Sequence, residues 1–181
     1  KPSERVPLTQ MKIFELIQQI GLPKGVLNMV HGGKDVVNGL LDHEDIEGIN
    51  FVGSTPVAKY VYQKGSHNGK RVQALGGAKN YIVMLPDAPI EQSVAAMVDS
   101  CLGCAGERCL AGSVLVGVGE AYDRLKEQVL KEVAQVVVGD GLDAKTTLGP
   151  AISAEAKSRI EKDIEAALSE GAELLVDGRN P

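Results

Sequence analysis

Short apolar runs alternating with helical stretches constrain this chain more than any other feature. Leu8 to Ile20 places Ile13, Leu16, Ile17 and Ile20 on one helical face, and Gly21 stops it. Val26 to Val30 reads as a short buried strand ending at Gly32-Gly33. Asp35 to Leu41 follows as a short helix, and Gly48 to Val52 as a second strand. A third helix runs from about Thr55 to Lys64, with Val57, Tyr60 and Val61 on its apolar face. Strand and helix alternating at this pitch predict an α/β fold: a parallel sheet with flanking helices, joined by right-handed crossovers.

After Lys70-Arg71 the character shifts. Strands are predicted near Arg71–Leu75 and Tyr81–Leu85, on either side of the Gly76-Gly77 turn. A helix from Ile90 to Leu102 leads into a loop around Cys109, and Ser113–Val118 reads as the next strand. A long helix from about Glu120 to Val136 shows Leu125, Val129, Val133 and Val136 at helical spacing. The last helix spans Ser153 to Glu170 and ends at Gly171, and Ala172–Val176 reads as a final strand. A boundary is expected near residue 72, between a nucleotide-binding part (1–72) and a catalytic part (73–181).

Composition excludes several function classes. The 181 residues are 44% hydrophobic, enough to bury a core, and the net charge of −5 comes from interspersed charges without a basic face for nucleic acid. No apolar run approaches the ~20 residues of a membrane span, and Lys1 does not open a signal peptide. Neither a nucleic-acid nor a membrane partner is expected, and a reducing compartment fits best. Cys101, Cys104 and Cys109 fall within nine positions, but a zinc or iron–sulfur site needs a fourth ligand and the His residues 31, 43 and 67 lie far upstream. No metal site is expected, and free thiols are.

Cys109 is the candidate nucleophile. It sits in Ala105-Gly-Glu-Arg-Cys109-Leu-Ala-Gly-Ser113, beside the permanent cation of Arg108 and among small residues that leave room for a substrate. Only a thiolate attacks, and a neighbouring guanidinium favours that form. The competing reading is a buried structural cysteine. Phe51-Val-Gly-Ser-Thr-Pro56 ends a strand at Gly53, with Ser54 a candidate N-cap and Pro56 in the first helical turn. Such a terminus suits a phosphate, or is simply a capped helix. The three-glycine dinucleotide fingerprint is absent.

Phe51-Val-Gly-Ser-Thr55, Ala74-Leu-Gly-Gly77 and Gly106-Glu-Arg-Cys109, in this order and spacing, resemble the aldehyde dehydrogenase superfamily. Lys1-Pro-Ser-Glu-Arg5, Tyr62-Gln-Lys-Gly-Ser66, Lys70-Arg-Val-Gln-Ala74 and Gly77-Ala-Lys-Asn80 resemble its CoA-acylating methylmalonate-semialdehyde dehydrogenases. The resemblance runs from the first residue to the last but covers the middle of the family's chain, so the sequence looks like an internal fragment. The fold it implies is aldehyde dehydrogenase-like, with part of a Rossmann-like NAD domain and the start of a catalytic domain.

The resemblance implies NAD as cofactor and CoA as acyl acceptor. It assigns the pyrophosphate to Ser54, the adenosine ribose to Lys1 and Glu4, a further cofactor contact to Arg5, and the nicotinamide approach to Gly76. Glu4 near a ribose would repel the 2′-phosphate of NADP. In the family a cysteine, here Cys109, attacks the aldehyde, and hydride transfer leaves a thioester. The cysteine's own backbone N–H supplies one oxyanion donor. The Asn donor and a ribose-binding Glu of the family lie outside this sequence, so the isolated stretch is expected to be inactive.

Hydrolytic relatives carry a Glu before Leu-Gly-Gly as general base, and here that position is Ala74. Water, with a pKa near ~15.7, needs a base at neutral pH, whereas a thiol near ~8.5 is partly ionised unaided. Losing the Glu therefore favours CoA over water. The rival is a hydrolytic enzyme using another base, for which Glu107 is the candidate. The implied substrate is methylmalonate or malonate semialdehyde, yielding propanoyl-CoA or acetyl-CoA with loss of carbon dioxide. Arg108 is a candidate partner for the substrate carboxylate or CoA phosphates, or else forms a structural ion pair with an acid. A homo-oligomer, dimer or tetramer, and a cytoplasmic location (mitochondrial in a eukaryote) are expected for the full-length protein.

Overall fold

A computed structural model describes residues 1–179. The chain divides into two compact units, Lys1–Gly77 and Ala78–Pro181. In the first, α1 (Leu8–Gln19) and α2 (Lys34–Asp42) precede β1 (Gly48–Val52), α3 (Thr55–His67) and β2 (Arg71–Leu75). Strands β1 and β2 pair in parallel, Gly48 opposite Arg71 through Val52 opposite Leu75. Helix α3 crosses β2 at Gly65, where a Cβ would lie 2.6 Å from Val72 Cγ2, so a mid-helix glycine here serves close packing. Leu41, Ala58 and Val61 form the buried centre. Lys70 is buried as well. Its ammonium donates to the His43 and Ile46 carbonyls at 2.6 Å each, which offsets its desolvation and anchors the turn that enters β1.

The second unit contains β3 (Asn80–Met84), α4 (Ile90–Leu102), a 3-10 turn (Gly103–Gly106), β4 (Gly112–Gly117), α5 (Ala121–Val133) and α6 (Ala154–Ser169). Strands β3 and β4 are again parallel, with a register shift between Asn80 and Tyr81. Met84, Ile90, Val94, Met97, Val98, Ala121 and Leu125 form its core, with Ile82, Leu115, Val129 and Val133 packed against them. Each fully buried large side chain contributes roughly 1.5–3 kcal/mol of transfer free energy. Ser153 caps α6, its hydroxyl accepting from the Ala156 N–H at 3.1 Å.

The parallel pairing expected from the sequence is therefore present as two ladders, one in each unit. Other expectations are corrected. Val26–Val30 is not a strand: Val26, Leu27 and Val30 are exposed, and no described strand pairs with them. Ala172–Val176 likewise has no ladder partner among the described residues. An apolar run becomes a strand only when its backbone groups find a neighbour. In α3 the buried face is Ala58, Val61 and Gly65, while Val57 is exposed and the Tyr60 hydroxyl donates to Asn38. Helix α1 forms as predicted but buries none of its residues, leaving Leu16 and Ile20 exposed.

Candidate active site

The Cys109 loop is built by the end of α4 and the start of β4. Its turn is strained: Cys104 and Ala105 have φ of +53° and +55°, and Gly106 follows at +68°. Two consecutive non-glycine residues in this region cost roughly 1–2 kcal/mol each. Ala105→Gly is therefore expected to raise stability by about 1 kcal/mol, the reverse of an ordinary Ala→Gly change. Urea unfolding of the two proteins checks this, and a midpoint that falls would show the turn to be unstrained.

Four side chains hold the loop through five hydrogen bonds. The Asn80 amide donates to the carbonyls of Cys109 at 2.8 Å and Ala111 at 3.0 Å. The Gly112 N–H donates to Ser100 Oγ at 3.1 Å. The Ile152 N–H donates to Glu107 Oε1 at 3.1 Å, so this carboxylate spends one oxygen on tethering the segment before α6. Arg108 turns to α4, donating to the Asp99 carbonyl at 2.8 Å and lying 3.8 Å from the Asp99 carboxylate. Gly103 makes that path possible, since a Cβ there would sit 1.8 Å from Arg108 Nη2.

Between these ties Cys109 is exposed, and its backbone N–H donates to no other described group. Cys104 is exposed as well; Cys101 is half-buried, and burial pushes its thiol pKa up, which disfavours its thiolate. The alternative of a buried structural cysteine at 109 does not hold. Among the described residues no group of three or more His, Cys, Asp or Glu is placed to hold a metal ion, and no described helix is long and apolar enough to cross a membrane.

The other candidate residues lie in the first unit. Ser54 occupies the N-cap position of α3 and is exposed, but its hydroxyl makes no capping bond. The neighbouring Thr55 Oγ1 instead accepts from the Gly77 N–H at 3.0 Å, pinning the turn after β2 to the start of α3. Gly76 packs so closely that a Cβ would meet Thr55 Oγ1 at 2.9 Å and its Cα at 3.1 Å. Lys1 donates to Glu4 at 3.0 Å. The backbone N–H at Glu4, with Lys1 beside it, holds that carboxyl below its usual range. Arg5 is exposed, with its N–H on Ser3 Oγ at 3.3 Å.

Sequence reasoning missed the roles of Asn80, Asp99, Ser100 and Thr55. Thr55, Asn80 and Ser100 bond main chain far along the sequence through their side chains, whereas Asp99 takes the Arg108 guanidinium on its own carbonyl and carboxylate; only the Gly77-Ala-Lys-Asn80 run drew attention to one of the four.

The aldehyde dehydrogenase family model matches residues 1–181. Malonate-semialdehyde dehydrogenase of Halalkalibacterium halodurans is 51% identical over 99% of this chain, and malonate-semialdehyde dehydrogenase 1 of Bacillus licheniformis is 49% identical over all of it. The chain spans 37% of the length of each of these relatives. Among solved structures, methylmalonate-semialdehyde dehydrogenase of Oceanimonas doudoroffii superposes with a TM-score of 0.93 at 41% identity, over 99% of this chain and 37% of its own. Betaine aldehyde dehydrogenase of Staphylococcus aureus in complex with NAD+ superposes at 0.89 with 30% identity, over 99% and 36%. An exposed thiol on a tethered strand-entry loop, parallel ladders in both units and a match across every residue lead to one conclusion: the chain belongs to the aldehyde dehydrogenase family.

Proposed function

We propose that this chain is the nucleophile-bearing segment of an NAD-dependent, CoA-acylating semialdehyde dehydrogenase acting on malonate or methylmalonate semialdehyde. The observation that carries the reading is Cys109, an exposed thiol with an unspent main-chain N–H in a loop whose carbonyls are tied down. Residues 1–72 serve the cofactor and residues 73–181 the chemistry. The relatives named as malonate-semialdehyde dehydrogenases and the NAD+ complex of a structural neighbour support this assignment.

The residues present fit NAD. The Ser54 hydroxyl is left unused by α3, at a helix N-terminus open to solvent, which suits a pyrophosphate. Lys1 and Glu4 place an amine donor and a carboxylate acceptor side by side, the pair that vicinal ribose hydroxyls require. Arg5 adds a cation nearby in sequence, and Gly76 keeps the turn after β2 free of a side chain. NAD, when bound, supplies the acceptor for the hydride. The rest falls to Cys109: its thiolate adds to the aldehyde carbon, its N–H donates to the resulting oxyanion, and after oxidation it holds the acyl group as a thioester.

The thiol of CoA then displaces Cys109 as leaving group, because Ala74 offers no carboxylate to activate water. Glu107 is a poor substitute, with one oxygen already accepting from Ile152. Arg108 remains the candidate for a substrate carboxylate or CoA phosphate through whatever donors Asp99 leaves free. The intact enzyme is proposed to act as a homo-oligomer in the cytoplasm, or in the mitochondrion of a eukaryote, with no nucleic-acid or membrane partner. The test is NADH formation by the intact protein with either semialdehyde, with and without CoA. Steady-state turnover is expected to fall at least about 100-fold without CoA, the lower end of what a general base contributes. Full turnover without CoA would overturn the acylating assignment and point to a hydrolytic enzyme.

A further inference from the structure

We propose that Asn80 is a positioning residue for the nucleophile: its side-chain amide fixes the main chain at Cys109 and so sets where the sulfur and the Cys109 N–H point. The inference rests on the reading of Cys109 as nucleophile. Asn80 opens β3 opposite Gly112 of β4, and the ladder shifts register immediately after it. At such an irregularity the regular strand-to-strand bonds stop short of the loop. The Asn80 amide takes over, donating both of its hydrogens, one to the Cys109 carbonyl at 2.8 Å and one to the Ala111 carbonyl at 3.0 Å.

The chemistry of the pair of bonds explains why this residue type is needed. Both acceptors are main-chain carbonyls, so the partner must bring two donors on one atom at the reach of a short side chain. Aspartate offers none, serine offers one, and alanine leaves both carbonyls unpaired. The Leu110 side chain between them is 83% exposed, so packing does not hold this stretch. With the Cys109 carbonyl tied, rotation of the peptide that follows the nucleophile is restricted, and the cysteine keeps one orientation relative to β4. Displacing a reacting group by about 1 Å costs on the order of 100-fold in rate.

The test uses the intact protein with Asn80→Ala, Asn80→Ser and Cys109→Ala. Asn80→Ala is expected to lower kcat for the semialdehyde by about 10–100-fold, and the rate of Cys109 alkylation by iodoacetamide with it, while KM for NAD stays within about twofold. Asn80→Ser, with one donor, is expected to recover part of both rates. A purely structural role would lower the unfolding midpoint and leave kcat and the alkylation rate unchanged, which overturns the proposal. If Asn80→Ala does not fold, Asn80→Ser decides: wild-type rates in it overturn the proposal, and reduced rates in a folded protein support it. Full activity in Cys109→Ala overturns the nucleophile assignment, and the positioning role with it. Loss in Cys109→Ala beside unchanged Asn80 variants overturns the positioning role alone.

Discussion

Cys109→Ala is expected to lower NADH formation by the intact protein at least about 10⁴-fold, because no later step proceeds without the covalent intermediate. Folding should be nearly untouched. The side chain is exposed, and an exposed substitution away from packing features usually changes stability by no more than about 0.5 kcal/mol. The Asn80 bond also survives, since it is made to the Cys109 main-chain carbonyl and not to the sulfur. Loss of activity can therefore be assigned to chemistry. Cys104→Ala is the matching control: it removes another exposed thiol, and alanine takes the same strained backbone at no lower cost, so turnover within about threefold of wild type is expected. Mass spectrometry of protein incubated with aldehyde and NAD, without CoA, should find the acyl adduct on Cys109 alone. Retention of a tenth of the activity in Cys109→Ala would be enough to reject it as the nucleophile.

The largest stability effect is expected at Gly117, where β4 runs into α5. A Cβ there would lie 2.5 Å from Tyr122 Cα, 2.8 Å from Tyr122 N and 3.2 Å from the Ala121 carbonyl carbon. All three atoms are main chain, so no rotamer change relieves the contact. Either β4 or the first turn of α5 must move, and Ala121, fully buried at that turn, moves with it. The displacement opens the cluster of Met84, Val94, Ala121 and Leu125. Gly117→Ala is expected to cost about 3 kcal/mol or more, at the upper end of overpacking effects.

Two other glycines calibrate that number. At Gly119 a Cβ meets nothing within 4 Å, but φ is +55°, so alanine should cost about 1 kcal/mol from the backbone alone. Gly141 has open space and no positive φ, and alanine there should be close to neutral. Chemical unfolding of the three variants gives the ranking. Equal midpoints for Gly117→Ala and Gly141→Ala would mean that β4 and α5 are not packed main chain to main chain.

Much of the fold was legible locally. The runs Gly48–Val52 and Arg71–Leu75 are strands at the residues expected, and Ile90–Leu102 is a helix at both predicted ends, because periodicity and flanking Gly and Pro act over a few residues. The loop that carries Cys109 was legible for the same reason. Val26–Val30 and Ala172–Val176 are at least as apolar as the true strands β1 and β2, yet neither is one. Arg71–Leu75 and Tyr81–Leu85 flank the Gly76-Gly77 turn, and their pairing is a tertiary matter: β2 pairs with β1 and β3 with β4, in separate units.

The amino-acid pattern was thus sufficient for the helices and the true strands, which are properties of residue type and short-range spacing; it marked Cys109 as the candidate nucleophile, and the family resemblance marked Ala74 as the place of an absent base. Partner choice required the three-dimensional structure. Which runs find a ladder, that Arg108 turns to Asp99, that Glu107 holds Ile152 and that Asn80 grips both sides of the Cys109 loop depend on groups 9 to 45 residues apart. Hydrogen bonds of that span are set by where packing brings the chain back on itself, and no local preference encodes them.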